Sequence, residues 1–161
     1  MTQERDIDDL RIREANLDDQ PEVARLYGEL GEHHRGLMPG HPRYEAGEPT
    51  WDIEARKALE NPDVSVHVAE AEEGVVAFMK VIFVEKSWGL SCEVETLVVE
   101  AGWRGTGIGR MLMTKAEEVG RAVGAKGMRV DVLLTNDRAR TFYERLGYSS
   151  ISIRYGKPLG D

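Results

Sequence analysis

Arg104-Gly105-Thr106-Gly107-Ile108-Gly109 stands between the apolar run Val94-Glu95-Thr96-Leu97-Val98-Val99 and the helical stretch Ile108-Gly109-Arg110-Met111-Leu112-Met113. A glycine-rich turn from strand to helix is a seat for phosphate. The glycines let backbone approach the oxygens, and the unpaired N–H groups and positive dipole end of the helix face the anion. Arg104 and Arg110 add positive charge at either end of the turn. An ordinary turn before an amphipathic helix needs neither the three alternate glycines nor the arginines. Two other phosphate loops do not fit. No Gly-x-x-x-x-Gly-Lys-Ser/Thr run exists. For a dinucleotide fingerprint the third glycine, Gly109, arrives one residue early. Residues 100–103 also separate strand from loop, and the acidic residue expected about 20 positions on, Asp131, falls inside an apolar run.

The spacing resembles Arg/Gln-x-x-Gly-x-Gly/Ala, the pyrophosphate loop of the GNAT superfamily of acyl-CoA-dependent N-acetyltransferases. A second block, Asn136-Asp137-Arg138-Ala139-Arg140-Thr141-Phe142-Tyr143-Glu144-Arg145-Leu146-Gly147-Tyr148, is similar to that family's closing segment. The opening Leu10-Arg11-Ile12-Arg13-Glu14-Ala15, with Asp18 and Asp19 ahead of a helix, is a weaker third match. Together they run from about residue 11 to residue 148.

Composition sets the outer limits. With 161 residues the chain reads as a frayed N-terminal tail, residues 1–9, followed by a single domain, residues 10–161. That length suffices to bury roughly 70% of the unfolded surface. No apolar run nears the roughly 20 residues of a membrane helix, and the N-terminus does not read as a signal peptide. One cysteine, Cys92, excludes an intramolecular disulfide and fits the reducing cytoplasm. Cys92 lies in a strand-like run near glutamates, which suits a small buried hydrophobe better than a nucleophile. The formal charge of −8 argues against nucleic-acid binding and agrees with a cationic acceptor.

Patterning supplies the elements. A strand is expected at residues 10–14. A helix starts at Asp19-Gln20-Pro21, with Val23, Leu26, Tyr27 and Leu30 on one face. Residues 36–50, rich in proline and glycine, read as a loop, and residues 51–59 as a short helix ended by Asn61-Pro62. Strands at 64–69 and 75–84 form a hairpin, followed by a strand at 92–99. After the glycine loop come a helix to about residue 123, a buried strand at 128–134, a helix at 136–146 and a final strand at 148–154. The order predicts an α+β fold. The resemblance implies the GNAT-like α/β/α sandwich, with a central mixed, mostly antiparallel sheet.

The resemblance also implies the reaction: transfer of an acetyl group from acetyl-CoA directly to a primary amine of a small molecule or peptide. Acetyl-CoA serves as acyl-donor substrate, with no metal. Alkyl amines have pKa values near 10, so a carboxylate in the cleft must take a proton from the ammonium. Strand alternation puts Glu93, Glu95, Leu97 and Val99 on one face, and Cys92, Val94, Thr96 and Val98 on the other. The family often carries a glutamate at one of the first two offsets. Glu95 is preferred as base, with Glu93 the alternative, and solvated glutamates on a strand edge stay open. In the family, backbone N–H groups matching Leu97 and Val99 bind the thioester carbonyl and pantetheine arm. The donor site so implied comprises Leu97, Val98, Val99, Arg104, Gly105, Thr106, Gly107, Ile108, Gly109, Arg110, Asn136, Ala139 and Tyr143. Tyr143 matches the tyrosine that sits near the CoA sulfur as general acid, and a core tyrosine is the alternative.

His33 and His34, adjacent on a helix, diverge, and no Cys/His spacing fits zinc. In the family the first helix and the loop at 36–50 cover the acceptor site, where His33, His34 or His41 would stand, although solvated surface histidines suit the pattern as well. The acceptor carries an amine; nucleic acid and membrane are not expected, and a homodimer is compatible with the family. A catalytically inactive acyl-CoA-binding sensor or partner module is the second reading. A pure binder needs neither Glu95 nor Tyr143.

Overall fold

The computed structural model describes residues 5, 7–45 and 51–160, with Arg43 and Glu45 described by backbone alone. Contacts divide the chain into two compact units, Met1–Asp131 and Val132–Asp161.

The first unit is built on a five-stranded sheet in the order β1-β2-β3-β4-β5. The strands are β1 Arg11–Glu14, β2 Val64–Ala71, β3 Gly74–Lys86, β4 Gly89–Val99 and β5 Gly127–Val130. The first four pair antiparallel and β4 pairs parallel with β5, which makes the sheet mixed. Helices α1 (Gln20–Leu37) and α3 (Trp51–Glu60) cover one face. Val23, Leu26, Ala55 and Ala58 from those helices form one cluster with Val66, Val68, Phe78 and Val98 from the sheet. Helix α4 (Ile108–Ala122) covers the other face through Ile108, Leu112, Met113 and Ala116, all buried. The expected α+β architecture is thus present.

Helix α1 begins where the sequence places it. The Asn16 N–H donates to Asp19 Oδ2 at 2.9 Å, and the Asp18 N–H donates to Asn16 Oδ1 at 2.8 Å. Pro21 fills a first-turn position where no N–H is needed. Arg13 of β1 grips Asp19 with two bonds of 2.8 Å and reaches Glu70 of β2 at 2.9 Å, tying strand, cap and hairpin together. The guanidinium holds the Asp19 carboxyl below its usual range, against the opposing effect of burial. Asp19→Asn is expected to cost about 1–3 kcal/mol at neutral pH, read as a lower urea midpoint. Because the folded pKa is depressed, this contribution is complete above the ordinary aspartate value. It is lost as pH falls through the folded one, so wild type and variant should converge in acid.

Three expectations need correction. Residues 36–50 are not all loop: α1 continues through Gly36 to Leu37, and α2 spans Pro42–Glu45, with Pro42 opening it. Residues 46–50 of that expected loop lie outside the described residues. The strand expected at 128–134 ends at Val130, opposite Val94. Residues 131–134 make no ladder beyond that point. Residues 148–154 form no strand. Ile151 and Ile153 alternate as a strand would, yet they are 67% and 62% exposed and no ladder takes their N–H and C=O groups. In the N-terminal segment, Arg5 lies 4.7 Å over the Trp103 ring and 3.6 Å from Glu73.

Candidate active site

The glycine loop at residues 104–109 has the conformation its glycines require. Gly105 and Gly107 have φ of 79° and 96°, a region costly for any residue with a Cβ. Gly107 caps α4, so the N–H groups of the first turn, Ile108 to Arg110, have no partner inside the helix. Thr106 Oγ1 donates to the Trp103 carbonyl at 2.5 Å, fixing the loop to the 3-10 turn Ala101–Trp103 before it. Arg104 Nε donates to the Val99 carbonyl at 3.2 Å, which pins that guanidinium beside the end of β4. Open space surrounds the Gly105 and Gly107 α-carbons. Donors, charge and room all suit a pyrophosphate.

Upstream, β4 carries one residue more than β3 opposes. Lys80 pairs with Thr96 and Val81 with Val94, leaving Glu95 as the extra residue of a bulge. The β4–β5 ladder stops at the same place, Val94 opposite Val130. Past it, the Glu100 N–H donates to the Val76 carbonyl of β3 at 2.8 Å. Alternation along the strand then sends the Val98 N–H to β3 as well, and sends those of Leu97 and Val99 along the edge that β5 has left.

The bulge overturns the expected sharing of faces. Cys92 lies against α4, its Sγ 3.8 Å from the Ala116 carbonyl, whereas Val98 packs among α1 and α3. Glu93, opposite Ile82, and Glu95, bound to Lys80, are on the α1/α3 face; Leu97, opposite Met79, is on the α4 face. One additional residue reverses the alternation, so the two glutamates remain together but part from Leu97 and Val99. The Cys92 thiol is pushed up to about 11 by burial and by neighbouring Glu93, which leaves it unreactive.

Each glutamate has a lysine. Lys80 Nζ donates to Glu95 Oε1 at 2.8 Å. Lys86 Nζ lies 3.0 Å from Glu93 Oε1, but this oxygen, itself buried, makes no hydrogen bond of good geometry. Glu95 is the more open of the two, its side chain 46% exposed against 24% for Glu93. Tyr27 of α1 stands over the same region, hydrogen-bonded to Thr96, and its hydroxyl is pushed up to about 12, by burial first and by Glu95 and Glu54 after it. Its ring is parallel to that of Trp51, centroids 6.2 Å apart. Trp51 fits there because α1 has Gly31 beneath it: a Cβ at that position would come within 2.5 Å of the indole.

Lys80, Tyr27, Thr96 and Trp51 were not foreseen as site residues. Lys80 alone carried a sequence signal, a charge inside the apolar run 75–84. His34 and His41 pack on Tyr44, with centroids at 5.4 and 5.2 Å. No group of three side chains suited to a metal occurs among the described residues, and none of their helices is long and apolar enough to cross a membrane.

In the second unit, Asn136 caps α5 (Asp137–Arg145), its Oδ1 accepting from the Ala139 N–H at 3.2 Å. Ala139 is half-buried one turn on, and Tyr143 is buried at the seventh position. The Tyr143 ring packs edge-on against Phe142 and Tyr148, and burial pushes its hydroxyl up to about 12.

The acetyltransferase (GNAT) family profile matches residues 23–148. The chain is 29% identical to thialysine N-epsilon-acetyltransferase of Mus musculus over 151 residues, 88% of this chain and 85% of that protein. It is similar in structure to a mutant of the BH1408 protein from Bacillus halodurans, at a TM-score of 0.77 and 26% identity, over 92% of this chain and 99% of that one. It also resembles the aminoglycoside N-acetyltransferase AAC(6')-Iy in complex with CoA, at a TM-score of 0.68 and 18% identity, over 93% of this chain and 95% of that one. With the profile matched over most of its length, the chain belongs to the GNAT acetyltransferase family.

Proposed function

We propose that this protein is a cytoplasmic N-acetyltransferase that moves the acetyl group of acetyl-CoA directly to a primary amine of a small molecule or peptide. The observation that carries the reading is the coincidence at Val94. There the β4–β5 ladder ends, Glu95 bulges out, and the Leu97 and Val99 N–H groups turn to the vacated edge.

The donor supplies an acetyl thioester when bound. Gly105 to Arg110, with Arg104, hold its pyrophosphate through N–H groups and charge. The Leu97 N–H donates to the carbonyl oxygen, where negative charge develops as nitrogen adds, and Val98 and Val99 line the arm. Glu95 takes a proton from the acceptor ammonium, directly or through water, with Glu93 as the alternative base. A second proton leaves nitrogen as the C–S bond breaks and ends on sulfur, so the net release is one proton, the amide and the free thiol. Asn136 and Ala139 flank the donor on α5. Residues 10–161 are read as one functional domain.

Tyr143 is proposed as the donor toward the departing sulfur. A phenol at about 12 remains protonated throughout the neutral range, but giving its proton outright to a thiolate is uphill. Its contribution is therefore a hydrogen bond or a relay. Tyr143→Phe keeps the ring, and its expected effect is a loss in kcat of about 10²-fold or less with acetyl-CoA affinity unchanged. A large fall in melting temperature with normal turnover would instead make Tyr143 a core residue alone.

The deciding experiment is a panel of amines with acetyl-CoA, read by release of free thiol. Turnover with at least one amine is expected. Tight acetyl-CoA binding without turnover on any amine would favour the inactive sensor or partner module.

A further inference from the structure

Lys80 stands out as a charged residue that neither the loop nor the acyl transfer uses. It comes from the middle of β3, its side chain is only 18% exposed, and it lies opposite Thr96 beside the bulge. Its neighbours along the same face of β3 are Phe78 and Ile82, so the ammonium projects from an apolar wall. Among the described residues, the one carboxylate oxygen that it reaches is Glu95 Oε1, at 2.8 Å.

We propose that Lys80 is a positioning residue that fixes the Glu95 carboxylate for the acceptor; this rests on the reading of Glu95 as the base. A glutamate on a bulge that is nearly half exposed has several rotamers to choose from, and each wrong one takes the carboxylate from the amine. The buried stem of Lys80 has few such choices, so the ion pair transfers its rigidity to Glu95. Because Oε1 is occupied by Lys80, the acceptor addresses Oε2. The arrangement selects one oxygen and one direction of approach. The Glu95 end of the pair is nearly half exposed, and an ion pair open to water on one side contributes little to stability, so the effect of losing this one falls on turnover rather than folding.

Five proteins test it: wild type, Lys80→Met, Lys80→Arg, Glu95→Gln, and Lys80→Met in a Glu95→Gln background, each with the fastest acceptor of the amine panel. Lys80→Met preserves the length of the stem and removes the charge. It should lower kcat on the order of 10- to 100-fold, the scale of a misplaced reacting group, with the acetyl-CoA KM and melting temperature nearly unchanged. Lys80→Arg, which still pairs with a carboxylate, should recover most of the loss. In the Glu95→Gln background, Lys80→Met should change kcat by less than about twofold, since a residue acting through Glu95 has nothing left to position. Unchanged or raised kcat in Lys80→Met overturns the proposal, and so does an equal loss in both backgrounds. If Glu95→Gln alone leaves turnover intact, the assignment of the base fails first and Lys80 falls with it. If Glu95→Gln is slow but Lys80→Met is not, the base stands and only the positioning role is withdrawn.

Discussion

Gly107→Glu is expected to weaken acetyl-CoA binding by at least 100-fold in a calorimetric titration. Two effects combine. At φ of 96° a residue with a Cβ is strained by about 1–3 kcal/mol, so the loop will leave the conformation that presents its N–H groups. The new carboxylate then stands at the N-terminus of α4, where the pyrophosphate charge would otherwise sit, and replaces attraction with repulsion. A Cβ at Gly107 meets no atom within 4 Å, so no steric clash adds to the loss. Gly107→Ala separates the parts, because it carries the strain without the charge and should bind with intermediate affinity. Wild-type affinity in Gly107→Glu would remove the loop from the donor site.

Glu95→Gln should reduce kcat by about 10²- to 10³-fold near neutral pH while leaving acetyl-CoA affinity intact. Glutamine can still accept from Lys80, so the change removes basicity more than structure. The deficit should shrink as pH rises towards the amine pKa near 10, where free amine no longer depends on a base. Glu93→Gln is the comparison. Glu93 lies on the same face but is less exposed, and its Oε1 is buried, so a small effect is expected there. If the two results are interchanged, Glu93 is the base.

The conformation of the glycine loop was legible because it needs the same thing that sequence records: glycines at positive φ before a helix start. The cap of α1 was legible for a similar reason, since Asn16, Asp19 and Pro21 act within a few residues of one another. Helix α1 ran past Gly36 because a glycine inside a helix weakens it without ending it. The bulge at Glu95 was not legible. Cys92, Val94, Thr96 and Val98 are all buried, as strict alternation demands, although the first packs under α4 and the last under α1. A sheet covered on both faces hides a phase shift, since either side of the strand meets apolar neighbours. Lys80 was overlooked because its partner is 15 positions away across a hairpin. The strand expected at 148–154 failed because alternation describes a surface, not a partner.

The bulge has a consequence for how this chain can vary. Substitution at residue 95 exchanges one chemical group for another and leaves the strand in phase. Deletion there would keep the phase as well, because Val94 is already opposite Val81 and Thr96 opposite Lys80, so the ladder would close to regular alternation with Val98 still in its cluster. What such a deletion removes is the bulge, with its local bend and twist, and the side chain that it carries. The carboxylate at 95 is therefore an addition to a ladder that is complete without it: a lineage can change the letter or drop the residue, and the downstream partners stay where they are.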